Sequence, residues 1–152
     1  NISNGEFITI FDIDEYLVDD LIKADNYLKS NKQTKFLVGS RVMHQKKFIY
    51  KKNYYGVRIM TMLINFLFKT NISDAAGATK IFKKDIYEDL NIKTKNFDFE
   101  FDVLCKFAKK EYQVSEFPIE YFPRSIAEGK KLRAIKDGSS ILLTILKNYF
   151  LK

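Results

Sequence analysis

The chain predicts an α/β fold, and two observations carry that prediction. Short runs of β-branched and aromatic residues alternate with stretches of helical period, and the polar residues able to do chemistry fall where the runs end. The first run, Phe7-Ile8-Thr9-Ile10-Phe11, stops at Asp12-Ile13-Asp14. It reads as a strand buried on both faces, as in a parallel sheet. Charge is costly inside such a sheet, so Asp12 and Asp14 belong at its C-terminal edge, the side on which open α/β sheets bind ligands. Residues i and i+2 of an extended chain point the same way. Both carboxylates then face one hard cation, Mg²⁺ or Mn²⁺, of the kind that bridges carboxylates to phosphates. On pattern alone a polar strand end or a helix cap explains the pair equally well.

The elements follow in order. Asp19 to Ser30 has a loose helical period, with Asp19 and Asp20 at the end where the helix dipole favours acids. Lys35-Phe36-Leu37-Val38-Gly39 is a second buried strand, closed by Ser40-Arg41, which makes a strand–helix–strand unit with the first run. Val57 to Phe68 is a helix apolar nearly all round, interrupted by Thr61 and Asn65. Such a helix is buried in the core or faces a partner or membrane interface. Ser73-Asp74-Ala75-Ala76-Gly77-Ala78 is a small-residue loop, where a ligand approaches the backbone or the chain turns tightly. Thr79 to Phe82 reads as a strand and Lys84 to Leu90 as a short helix. Asp98, Glu100 and Asp102 open another helix that runs through Phe107. Tyr112 to Tyr121 is extended, and Pro118 argues against a central position in the ladder. Residues 122–133 form a basic, glycine-containing loop suited to closing over a phosphate, and Asp137-Gly138-Ser139 starts a final helix.

Composition narrows the class. At 152 residues and 46% hydrophobic, the chain is one domain's worth with enough apolar content for a core. The net charge of +7 points to a polyanionic partner. That charge is segregated: residues 1–31 hold seven acids and two bases, whereas 32–58 hold eight bases and no acid. A basic run beside an Asp-x-Asp pair is better explained by phosphate than by solvent alone. Tyr50, Tyr54 and Tyr55 interleave with these lysines, as in single-strand binders, but no nucleic-acid module signature accompanies them and none is expected as a partner. The single cysteine, Cys105, excludes an internal disulfide or a cysteine zinc cluster and reads as a core residue; a reducing compartment fits. No apolar run is long enough to span a bilayer.

The order of these motifs resembles family 2 glycosyltransferases of the GT-A fold, above all the dolichol-phosphate and polyprenyl-phosphate sugar synthases. Asp12-Ile13-Asp14 resembles their Asp-x-Asp signature and Gly39-Ser40-Arg41 their Gly-Ser-Arg. Ser73 to Gly77 is similar to the Asp-x-x-(Ser)-Gly stretch, and Phe99 to Asp102 falls at the family's acidic helix start. Glu116-Phe117-Pro118-Ile119 resembles the Glu-Val-Pro-Ile strand, and Arg124 to Lys131 followed by Asp137-Gly138 the basic loop and final helix. Glu15 and Tyr16 depart from the residues usual after the acidic pair. The resemblance implies a mixed sheet flanked by helices, in which residues 1–152 are the C-terminal part of a catalytic domain. About ninety further residues would be needed ahead of Asn1.

The resemblance also implies a chemistry. A sugar passes, with inversion, from a nucleotide-diphosphate sugar to an acceptor. Asp12 and Asp14 would hold Mg²⁺ or Mn²⁺ on the diphosphate, Arg124, Lys130 and Lys131 would close over it, and Arg41, Lys51 and Lys52 would hold an acceptor phosphate. A phosphate acceptor is already ionised and needs no base; a hydroxyl acceptor does, and Asp74, Glu100 and Asp102 are the candidates. The basic run and apolar helix favour a polyprenyl or dolichyl phosphate acceptor, and with it a cytoplasmic protein peripheral on a membrane face. The alternatives are a glycan hydroxyl acceptor and a non-catalytic truncated fragment.

Overall fold

Four short strands meet in one mixed sheet in the computed structural model, which describes residues 4–12, 17–44, 51–77, 79–90, 92, 98–122 and 134–151. The strands are β1 (Phe7–Ile10), β2 (Phe36–Ser40), β3 (Lys80–Lys83) and β4 (Val114–Pro118). The helices are α1 (Asp19–Ser30), α2 (Lys51–Phe68), α3 (Lys84–Glu88), α4 (Phe99–Lys109) and α5 (Ala134–Phe150). The sheet order is β1-β3-β2-β4. β3 runs antiparallel to both β1 and β2, and β4 runs parallel to β2. Three strands therefore point one way, and their C-terminal ends share an edge with the start of β3.

Period-2 alternation splits the core into two layers. Phe36 and Val38 of β2 and Phe82 of β3 pack with Ile64 of α2, Leu104 and Phe107 of α4, and Ile145 of α5. Leu37 and Ile81 face the other way, onto Ala24 of α1, with Phe117 and Ile119 beside them. The Phe36 ring stacks on Phe82 at 5.5 Å and meets Phe107 edge-on at 4.8 Å. Cys105 is fully buried, and burial, with the Asp102 charge adding to it, pushes its thiol pKa up, as an inert core residue requires.

Several expectations need correction. β1 is an edge strand, only partly buried, and its one ladder is antiparallel. Its apolar run suggested a parallel neighbour on each side, but β3 returns between β1 and β2 and takes the position beside it. The strand–helix–strand unit is thus parallel yet not adjacent. α2 begins six residues ahead of Val57, because its solvent-exposed first turns carry no core signal. α5 begins at Ala134, which puts Asp137 in the first turn rather than ahead of the helix. β4 does lie at the other sheet edge, with Pro118 as its last residue.

The end of α4 shows how local chemistry stops a helix. Tyr112 N–H donates to Phe107 C=O at 3.2 Å and Glu111 N–H to Ala108 C=O at 2.9 Å, the paired bonds of a Schellman cap. Glu111 holds the left-handed position, at φ 58°. A residue with a Cβ is strained there, so Glu111→Gly is expected to raise stability by about 0.5–1 kcal/mol, read from the urea midpoint.

Candidate active site at the sheet edge

The edge where β1, β2 and β4 end gathers Asp12, Arg41, Asp74 and Glu100. β2 runs directly into Ser40 and Arg41. The Arg41 guanidinium clamps Asp74, with Nε to Oδ2 at 2.7 Å and Nη2 to Oδ1 at 2.8 Å, and its backbone N–H adds a third bond at 3.1 Å. Asp74 is 0% exposed. Burial opposes its ionisation, but the charge and hydrogen bonds of Arg41 outweigh it and hold the carboxyl below its usual value. The other face of the guanidinium lies 5.1 Å from the centre of the Tyr121 ring.

Glu116 of β4 braces the same loop. Its carboxylate accepts from Ser73 N–H at 2.7 Å, Ser73 Oγ at 3.1 Å and Asp74 N–H at 3.0 Å. Burial raises its pKa, the bonds from Ser73 and Asp74 offset that only in part, and the Asp74 charge adds to it. From α2, Thr61 Oγ1 accepts from Ala75 N–H at 3.1 Å, and Arg58 donates to Ser73 C=O at 2.7 Å. Loop 72–77 is thereby tied to β2, β4 and α2 at once. Its glycine serves the protein backbone rather than a ligand: a Cβ on Gly77 would lie 1.9 Å from Gly39 C=O. The small-residue loop is a close crossing of two backbone segments.

Lys80, the first residue of β3, is wholly buried. Its ammonium donates to Gly77 C=O and, at 2.7 Å, to Glu100 Oε2. Glu100 sits in the first turn of α4, 26% exposed, so the pair spans from the interior to the surface. Thr79 Oγ1, at the same edge, is buried without a hydrogen-bond partner among the described residues.

The candidate residues separate into three groups. Asp12, Arg41, Asp74 and Glu100 come to this edge. Asp12 is exposed two residues past the end of β1, and its chemistry and exposure fit a ligand to a hard cation that substrate phosphates complete. Among the described residues no three acidic, histidine or cysteine side chains form a metal cluster. Asp102 is elsewhere: it is buried against α5, accepting from Asn148 Nδ2 at 2.8 Å and Lys106 Nζ at 3.2 Å. Asp98 likewise turns to α5, through Thr144 Oγ1 at 3.2 Å. Lys51 and Lys52 are exposed in the first turn of α2. Asp14, Arg124, Lys130 and Lys131 lie outside the described residues. Sequence reasoning missed Glu116 and Lys80 as parts of the site. The available signals were a glutamate just before Pro118 and a lysine opening an apolar strand.

No protein-family profile matches the chain. It is 24% identical over 147 residues to the low-salt glycan biosynthesis hexosyltransferase Agl6 of Haloferax volcanii, covering 88% of this chain and 33% of that protein. The fold matches glucosyl-3-phosphoglycerate synthase from Mycobacterium tuberculosis, solved with phosphoglyceric acid, at a TM-score of 0.62 and 8% identity. That match covers 99% of this chain and 52% of the synthase. The fold is thus of the GT-A glycosyltransferase type, as the motif order implied. The chain spans about a third of the curated relative and half of the solved one.

Proposed function

We propose that this chain forms part of a glycosyltransferase that moves a hexosyl unit from a nucleotide-diphosphate sugar to an acceptor. The observation that carries the reading is the convergence of Asp12, the Arg41–Asp74 clamp and the Lys80–Glu100 pair on the one edge where three strands end. Similarity to a hexosyltransferase and to a GT-A fold supports it. Asp12, with Asp14 as second ligand, would hold Mg²⁺ or Mn²⁺, which supplies charge to stabilise the departing diphosphate. Arg124, Lys130 and Lys131 would bind that diphosphate. Arg41 acts by holding Asp74 and the 72–77 loop, so positioning is its part of the work. Lys51 and Lys52 would hold an acceptor phosphate, and a polyprenyl phosphate acceptor fits them.

The acceptor class decides what Glu100 does. A phosphate attacks the anomeric carbon as it stands, giving inversion without a base. A hydroxyl must lose its proton, and Glu100, anchored through one oxygen to a buried lysine and partly exposed, would take it. In the complete protein, Asp12→Asn is expected to lower metal-dependent sugar transfer by about a hundredfold or more. Unchanged activity would remove Asp12 from the metal site. Glu100→Gln separates the acceptors: a loss of about 10²–10⁴-fold in kcat marks a hydroxyl, and a change within about threefold a phosphate. Asp102→Asn is expected to change stability rather than the pH profile of transfer.

A further inference from the structure

α1 carries two acids in its first turn, and the fold treats them differently. Asp19 is exposed, as suits an acid that only complements the helix dipole. Asp20 is 0% exposed. A carboxylate is costly to bury unless hydrogen bonds and an opposite charge answer it, so the dipole does not account for its place. Two groups answer it. Lys23 Nζ donates to Oδ1 at 2.7 Å, from a side chain that is half exposed. The backbone N–H of Glu120 donates to Oδ2 at 3.2 Å, across 100 residues of sequence.

That second bond falls where the chain leaves β4. Ile119 N–H donates to Ser40 C=O at 3.2 Å, so the segment follows β2 to its end. Tyr121 comes next, partly buried against the layer of Ala24, Leu37 and Ile119, and its ring lies over the Arg41 guanidinium. Asp20 thus holds Glu120, Glu120 carries Tyr121, and Tyr121 covers the guanidinium that clamps Asp74. We infer that Asp20 is a positioning residue for sugar transfer. It keeps the Tyr121 ring on Arg41, and through Arg41 it keeps Asp74 and loop 72–77 in place beside Lys80 and Glu100. This role presupposes that the edge is the active site.

The test has two arms. The first is two-dimensional proton–nitrogen NMR of the full chain, with no donor or acceptor present. It follows the Arg41 Nε–H, whose resonance depends on the bond to Asp74 and on the ring current of Tyr121. Asp20→Ala and Tyr121→Leu are each expected to move that resonance, and Lys23→Gln to leave it in place. Asp20→Leu, which fills the same volume without an acceptor, replaces the alanine variant if that one does not fold. The second arm is transfer by the complete protein. Asp20→Ala is expected to lower kcat about tenfold or more while donor KM changes less than about threefold, the split that lost positioning produces. Asp20→Asn keeps an oxygen for the Glu120 N–H and is expected to hold kcat within about threefold. The inference is overturned if removing the carboxylate leaves the Arg41 resonance unmoved, or if folded Asp20→Asn loses as much kcat as Tyr121→Leu. It is equally overturned if Tyr121→Leu lowers kcat and Asp20→Ala does not. If both variants move the resonance and neither alters transfer, the edge is not the active site, and the role of Asp20 falls with that reading.

Discussion

Arg41→Ala is expected to cost about 3–5 kcal/mol of stability, the usual penalty for leaving a buried charge without its partner. The sequence makes Arg41 look like a phosphate ligand at the end of a strand. In the structure two side-chain bonds and one backbone bond go to a carboxylate that is 0% exposed. The pH dependence distinguishes the roles. In the wild type the carboxyl pKa of Asp74 is depressed. Its contribution to stability is fully present above the usual value of 3.8 and is lost as pH falls through the depressed one. Without the guanidinium, burial, the largest influence on Asp74, is opposed by the backbone N–H of residue 41 and the Lys80 charge and raises that pKa, so the variant should recover part of its loss as pH falls from about 7 towards 5. Urea unfolding at the two pH values reads this directly. A variant as stable as wild type, with only acceptor binding weakened, would return Arg41 to the role of a ligand.

Gly77→Ala is the second substitution with a large expected effect. The new methyl would meet the carbonyl oxygen of Gly39 at 1.9 Å, and a backbone atom within a fully buried strand cannot swing aside as a side-chain tip can. Loop 72–77 would have to move off β2, straining the bonds from Arg41, Ser73 and Glu116 together. We expect a loss of about 1–3 kcal/mol or more. Transfer activity in the complete protein should fall with it, because Gly77 C=O is also a partner of Lys80. Gly56→Ala is the control. Nothing lies within 4 Å of its added Cβ, and it sits inside α2, so the change should stabilise by about 1 kcal/mol. Equal effects at the two glycines would refute the close-crossing account.

What the sequence determined by itself was local. The end of Phe7–Phe11 at Asp12, the helix at Asp19–Ser30, the buried run ending at Arg41 and the edge position of Pro118 follow from burial, dipole and backbone rules acting within a few residues. Those rules also put the motifs at strand ends, and hence on one side of a sheet. Only the tertiary structure decided which charges answer one another. Arg41 and Asp74 are 33 residues apart, Ser73 and Glu116 are 43 apart, and Lys80 and Glu100 are 20 apart. No local period encodes such pairs, because each depends on β3 returning antiparallel between β1 and β2. The same fact sorts the acids of α4. Glu100 and Asp102 are equally good first-turn residues in sequence, yet two residues along a helix turn the side chain by about 200°, so one meets the buried Lys80 and the other meets α5. α2 shows the limit most plainly. Its apolar pattern told of a helix apolar nearly all round, and only packing against the core could show that Thr61 and Ile64 are its buried residues.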